Sequence, residues 1–157
     1  KELGINYDKA LSHMQSFKGA AMRQQIIQDA SPRIYRDFGH APSKVRATIE
    51  AVRENHPGQS LGVVVELHSY SSMLADFIPL YAGVFDGVDQ AAVCVDKHAF
   101  TIKKMPVMTE GQIHDAFGST DCQVLFDSMS LEAFVKDCLQ LDVVLLLSSG
   151  NLMGVEV

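Results

Sequence analysis

What this sequence has little of narrows it first. No apolar run approaches the roughly 18 residues that a membrane-spanning helix needs; the most apolar segment, Val143 to Leu147, has only the length of a strand. Positive charge is also in short supply. Thirteen Lys and Arg stand against 19 Asp and Glu, for a formal net charge of −6, and the basic residues form no stripe. That balance disfavours a nucleic-acid partner. Cysteine is limited to Cys94, Cys122 and Cys138, each among apolar neighbours and without metal-ligand spacing. An odd number of isolated thiols suits a reducing compartment, and buried structural thiols are the expectation. No leader segment precedes the first helical pattern, so a cytoplasmic location is expected. Three motifs are absent: the phosphate loop GxxxxGK(S/T), the dinucleotide fingerprint GxGxxG and the nucleophile elbow GxSxG.

What remains is material for a core. Hydrophobic residues make up 47% of 157 positions, enough for one domain. Tyr7 to Phe17 has helical spacing, with Ala10, Leu11, Met14 and Phe17 on one face. Arg23 to Asp29 and Arg33 to Phe38 are expected to form a hairpin turning at Ser31-Pro32. Pro42 suits the first turn of a helix that runs to Asn55. Leu61 to Val65 is a continuous apolar run of the kind found in strands buried on both faces. The alternation continues with a helix from Met73 to Phe85, a strand from Ala91 to Val95 and a helix from Glu110 to Phe117. A strand from Gln123 to Phe126, a helix from Leu131 to Leu139 and a strand from Val143 to Leu147 complete it. Lys97 to Met108 is expected to be a loop. The rhythm predicts an α/β domain of three layers, a mostly parallel sheet with helices on both faces.

Ligands of open α/β sheets bind beyond the carboxyl ends of the strands. In this sequence those ends are polar: Asp37-Phe38-Gly39-His40, Glu66-Leu67-His68-Ser69-Tyr70-Ser71-Ser72, Asp96-Lys97-His98 and Ser148-Ser149-Gly150-Asn151. Asp37 suits either a helix cap or an acceptor for sugar hydroxyls. His40, beside a helix N-terminus, suits an anion. Both are expected on a solvent-facing strand end. Glu66 and His68 follow an apolar strand too closely for both to be buried cheaply. His13, His56, His98 and His114 are expected at the surface, and no metal site or catalytic residue is assigned.

The segment "DFGHAPSKVRATIEAVRENHPGQSL" resembles the third, C-terminal domain of the Mur ligases, where an Asp-aromatic-small-His-x-Pro motif precedes a helix, a Pro-Gly turn and an apolar strand. "FKGAAMRQQI" is similar to the family's Phe-x-Gly-x-x-Arg-Arg lead into this domain, with Arg23 alone of the usual pair. "SSGNLMGV" resembles its closing glycine loop. The resemblance runs from about Leu11 to Val155. It implies a Rossmann-like body over 18–157 with a lead-in helix over 1–17. It also implies a UDP-binding domain and an ATPase domain upstream, consistent with a first residue, Lys1, that is not Met. The implied activity is ATP- and Mg2+-dependent joining of an amino acid or peptide to UDP-N-acetylmuramate through an acyl phosphate. The nucleotide and metal would be held mainly by the upstream ATPase domain, which would leave this domain inert alone.

By the same resemblance Asp37 lies near the ATP ribose and His40 near the phosphates. Glu66, His68, Ser69 and Ser72 fall in the recognition loop for the incoming amine, and Asn151 near the same pocket. Alanine-adding members carry a Gln-Pro-His-Arg-x-x-Arg-like loop there. "ELHSYSS" has Ser69 and Ser72 in place of the arginines that would grip a carboxylate bidentately. Glu66 and Ser69 follow instead the Glu-Pro-Arg-Ser-x-Thr-like loop of the tripeptide-adding, murein-recycling members. The tripeptide is therefore the expected substrate, with L-alanine as the alternative. A stand-alone α/β module binding a nucleotide or effector is the reading from another class. A small hydrolase built on Asp37 and His40 lacks a nucleophile.

Overall fold

The computed structural model describes residue 4, residues 6–15 and residues 20–155. The expected positions of Phe17 and of the first residues of the lead motif lie outside these. The elements in chain order are α1 (Tyr7–Gln15), β1 (Gln25–Gln28), β2 (Arg33–Asp37), α2 (Pro42–Asn55), β3 (Leu61–Leu67), β4 (Gln90–Val95), α3 (Lys97–Ile102), α4 (Glu110–Phe117), β5 (Gln123–Leu125), α5 (Ser128–Cys138) and β6 (Val143–Leu147). The sheet runs β1-β2-β6-β3-β4-β5. β1 pairs antiparallel with β2, and every other pairing is parallel. The α/β class, the hairpin and the mostly parallel sheet are as the sequence rhythm predicts.

Period-2 alternation divides the central strands between two cores. Val63, Val65 and Leu67 of β3, with Val143, Leu145 and Leu147 of β6, face α2, α4 and the buried end of α3. Val64 of β3, Cys94 of β4, and Val144 and Leu146 of β6 face α5. Both faces of β3 and β6 are covered, which is why these strands read as unbroken apolar runs. α1 buries none of its side chains, and Tyr7, Leu11 and Met14 stay exposed.

Two expectations are corrected. Met73–Phe85 is not a helix but two short 3-10 turns, Ser71–Met73 and Ile78–Tyr81, joined by further turns. Pro79 sits in the middle of the segment, where it removes an N–H and blocks the α-helical carbonyl. The apolar spacing is real, because Met73, Ile78, Tyr81 and Val84 all reach the core. Lys97–Ile102, expected as loop, is α3. Asp96 caps it, its Oδ1 accepting from His98 N and Ala99 N at 2.8 and 3.2 Å. Smaller shifts occur at element ends: β3 extends two residues past Val65, and α5 begins at Ser128 behind its cap Asp127.

Candidate functional site

The route of the chain sets the site. The segment after β3 turns toward the α2/α4 core, where Met73 packs, while the segment after β6 turns to the opposite core, where Leu152 packs. Adjacent strands whose outgoing loops diverge leave a crevice at their carboxyl ends. The crevice between β6 and β3 opens onto a cleft of about 450 Å³ lined by His68, Asp96, His98, Lys103, Gly150 and Asn151 among others. A second depression of about 420 Å³ adjoins it around Asp96, His98 and Asn151 and extends to Asp127. A partly open hollow of about 410 Å³ around Asp86, Asp89 and Asp121 lies at the opposite, amino-end edge of β4 and away from these polar strand ends.

Asp37 differs from expectation. It is buried at 7% exposure rather than solvent-facing. Its Oδ1 accepts from Gly39 N at 2.6 Å and its Oδ2 from Gln24 N at 2.7 Å, so it ties the β2 end to the chain leading into β1. It does not cap α2, whose N-cap is Ala41 with no side-chain cap. Gly39 is required here: a Cβ would lie 2.8 Å from Asp37 Oδ1. His40 is half-buried, and its Nδ1 donates to the Phe38 carbonyl at 3.0 Å. That leaves Nε2 without a protein partner among the described residues, next to the uncapped N-terminus of α2. The buried Tyr81 hydroxyl donates to the His40 carbonyl and fixes this turn from below.

The expected amine loop divides in two. Glu66 lies inside β3, fully buried, on the α5 side of the sheet. Ser148 Oγ donates to its Oε2, and Met153 N donates to its Oε1 at 3.2 Å. Gly150 N in turn donates to Ser148 Oγ at 2.9 Å. Glu66 therefore anchors the loop after β6 rather than facing the cleft. It also shares in holding the neighbouring Cys94 thiol high, an effect due first to burial. Ser72 is buried, and its hydroxyl donates to the Ser69 carbonyl at 2.8 Å while accepting from Ser69 Oγ at 3.0 Å. These serines close a local turn. His68 and Asn151 do line the cleft.

Three buried polar atoms without a partner among the described residues, Arg36 Nε, His68 Nδ1 and Ser149 Oγ, gather around Gly150. Sequence reasoning missed Lys103 in this cleft because its segment was expected to be loop. The available signal was Asp96 as a cap followed by Ala99 and Phe100 at helical spacing. His56 and His114 are half-buried rather than on the surface, bonded to Tyr35 Oη and to the Cys122 carbonyl, each at 2.9 Å.

Comparison with protein-family models finds no match. The chain is 25% identical over 169 aligned positions, covering 99% of it, to UDP-N-acetylmuramate--L-alanine ligase of Legionella pneumophila subsp. pneumophila. It spans between 15% and 34% of the length of the curated relatives it matches. Among solved structures, it superposes on UDP-N-acetylmuramate-alanine ligase MurC of Thermotoga maritima with a TM-score of 0.68 at 15% identity, covering 98% of this chain and 32% of that one. It superposes on the murein peptide ligase of Psychrobacter arcticus with a TM-score of 0.61 at 17% identity, again covering 98% of this chain and 32% of that one. Sequence relatives and structural neighbours converge with the Asp37–Pro42 motif on the Mur ligases, and together they support a Mur ligase C-terminal domain.

Proposed function

We propose that this chain is the closing domain of an ATP-dependent ligase that joins an amine substrate to UDP-N-acetylmuramate through an acyl phosphate, with a peptide favoured over L-alanine. The carrying observation is the pairing on one sheet edge of an anion-ready turn and a separate cleft. The uncapped N-terminus of α2 and His40 Nε2 form the first. The 450 Å³ cleft beyond β3, β4 and β6 forms the second. Its volume lies in the range that holds drug-sized ligands, well above what alanine needs.

The donor set fits a nucleotide phosphate, with His40 and the α2 terminus as its contacts. ATP, when bound, supplies the phosphoryl group that activates the carboxylate. Asp37 supports this contact through Gly39 rather than by an open carboxylate, so its role toward the ribose is to hold the turn in place. His68 and Asn151 would face the incoming amine. Glu66, Ser69 and Ser72 would set the shape of the loops that bear them. Among the described residues no group of three or more His, Cys, Asp and Glu could hold a metal ion. We assign Mg2+ and the phosphate loop to a domain upstream of this one. Closure of the edge over the nucleotide would exclude water from an acyl phosphate, which water destroys. This domain alone would then be inert, and the cytoplasm, where ATP and UDP-sugars occur together, is the fitting location.

The test is ATP-dependent phosphate release by the protein with its upstream domains, given UDP-N-acetylmuramate and either L-alanine or L-Ala-γ-D-Glu-meso-diaminopimelate. Turnover with the tripeptide supports the proposal. Turnover with L-alanine alone moves the chain to the alanine-adding function, and silence with both favours a binding module.

A further inference from the structure

A half-buried ammonium group calls for a counter-charge or a full set of acceptors. Lys103 has neither. It is half-buried at the end of α3 and lines the cleft. Its Nζ donates to the His68 carbonyl, which uses one of its three N–H groups. Among the described residues its ammonium is in no ion pair; those pairs involve Arg33, Arg53 and Lys136. The side chain is held in place from both ends. Nζ lies 5.8 Å from the Tyr70 ring centre, and the Tyr70 hydroxyl donates to the Lys103 carbonyl at 3.2 Å.

The surroundings point the same way. His68 Nδ1 is buried without a partner in the same cleft. The carboxylate that shares the cleft, Asp96, caps α3 through Oδ1 and makes no ion pair with Lys103. The hydroxyls of Ser69 and Ser72 bond to one another, and the loop after β3, residues 68–77, contains no Lys or Arg. The positive charge of the cleft therefore comes from α3.

We infer that Lys103 binds a carboxylate of the incoming amine substrate and sets the preference for an acidic substrate, with His68 Nδ1 as the second donor. The ligand's identity rests on the ligase reading above; the location rests on the cleft alone. A lysine acts as a point charge on a flexible stem, whereas arginine imposes a planar fork. It accepts a carboxylate over a wider range of angles, as a bulky peptide arriving through an open cleft requires.

Two measurements test this. In phosphate release by the protein with its upstream domains, Lys103→Met raises KM for the tripeptide roughly 10- to 100-fold, the loss of one charge-assisted contact. The kcat and the KM for ATP stay near the parent values. Lys103→Arg recovers most of the loss, and the exposed neighbour Lys104→Met changes nothing. Tripeptide amidated at its diaminopimelate carboxylates binds the parent as weakly as it binds Lys103→Met. Equal discrimination between acid and amide by the parent and Lys103→Met overturns the inference while leaving the ligase reading intact. If no amine is turned over, the ligase reading fails, and NMR titration of this chain with the tripeptide decides the binding question separately. Shifts centred on His68, His98 and Asn151 that vanish in Lys103→Met sustain the inference. Their absence from the parent, or their persistence in the variant, overturns it.

Discussion

Gly150 is the residue whose replacement tests the arrangement of the edge most directly. A Cβ built on it would lie 2.6 Å from Glu66 Oε2 and 2.8 Å from both Cγ and Nδ1 of His68. Neither neighbour can yield cheaply. Glu66 is fully buried and fixed by Ser148 and Met153, and the His68 ring is planar and rigid. Overpacking of this kind costs about 1–3 kcal/mol. For a domain of this size each kcal/mol moves the melting temperature by roughly 2–4 °C, so Gly150→Ala should melt about 2–12 °C lower. Gly111, in α4, is the control of opposite sign. A Cβ there meets nothing within 4 Å, and its φ is not left-handed. Alanine in an open helical position gains about 0.5–1 kcal/mol over glycine, so Gly111→Ala should melt about 1–4 °C higher. Differential scanning calorimetry of the three proteins side by side is the assay. A Gly150→Ala protein that melts at or above the parent would refute the packing of Glu66 and His68 against this loop.

Asp37→Asn keeps the size of the side chain but offers one acceptor oxygen to two N–H donors, those of Gly39 and Gln24. It should cost about 1–3 kcal/mol in urea unfolding, whereas an Asp37 that served only a ligand would leave stability unchanged. Acid should destabilise the fold through Asp127 and Asp142. Hydrogen bonds from Ser130 hold the first below the usual carboxylate range, and those from Ser60 the second. Depressed carboxylates stabilise above their unfolded pKa and lose that contribution as pH falls through the folded value. Melting temperature should therefore drop below about pH 4, and less steeply in Asp127→Asn; an identical slope would refute the assignment. Burial pushes the Cys138 thiol up to about 12. At pH 8 roughly one in ten thousand such thiols is ionised, so iodoacetamide should label it only upon unfolding, as read by mass spectrometry.

Much of the architecture was legible because the strands are buried on both faces. Leu61 to Val65 and Val143 to Leu147 admit few other assignments, and Pro42 and the Pro57-Gly58 turn bracket α2. The failures have local causes. Pro79 breaks a helical periodicity into turns while leaving its buried face intact, and apolar spacing alone cannot distinguish the two. The polar residues after Asp96 disguised a capped helix, and with it Lys103. At the site, the sequence located the edge but not the direction of each side chain. Glu66 and His68 sit on the same strand end, yet one is wholly interior and the other reaches the cleft. That difference depends on Ser148, more than eighty residues away in sequence, which no local pattern reveals.

The loop after β6 shows why a carboxylate is worth burying at such a place. Leu152 and Met153 both adopt left-handed backbone, with φ of 54° and 53°, followed by Gly154 at 81°. For non-glycine residues that geometry costs roughly 1–2 kcal/mol each, or about 2–4 kcal/mol together. Hydrogen bonds to a charged group contribute about 1.5–3 kcal/mol each. The two bonds Glu66 accepts from Ser148 and Met153 are thus of a size to offset the strain. A loop held in this way presents Gly150 and Asn151 to the cleft. The buried glutamate and the half-buried lysine are therefore complementary. The glutamate fixes the backbone of the loop after β6, and the lysine brings to the cleft a charge that is in no ion pair among the described residues.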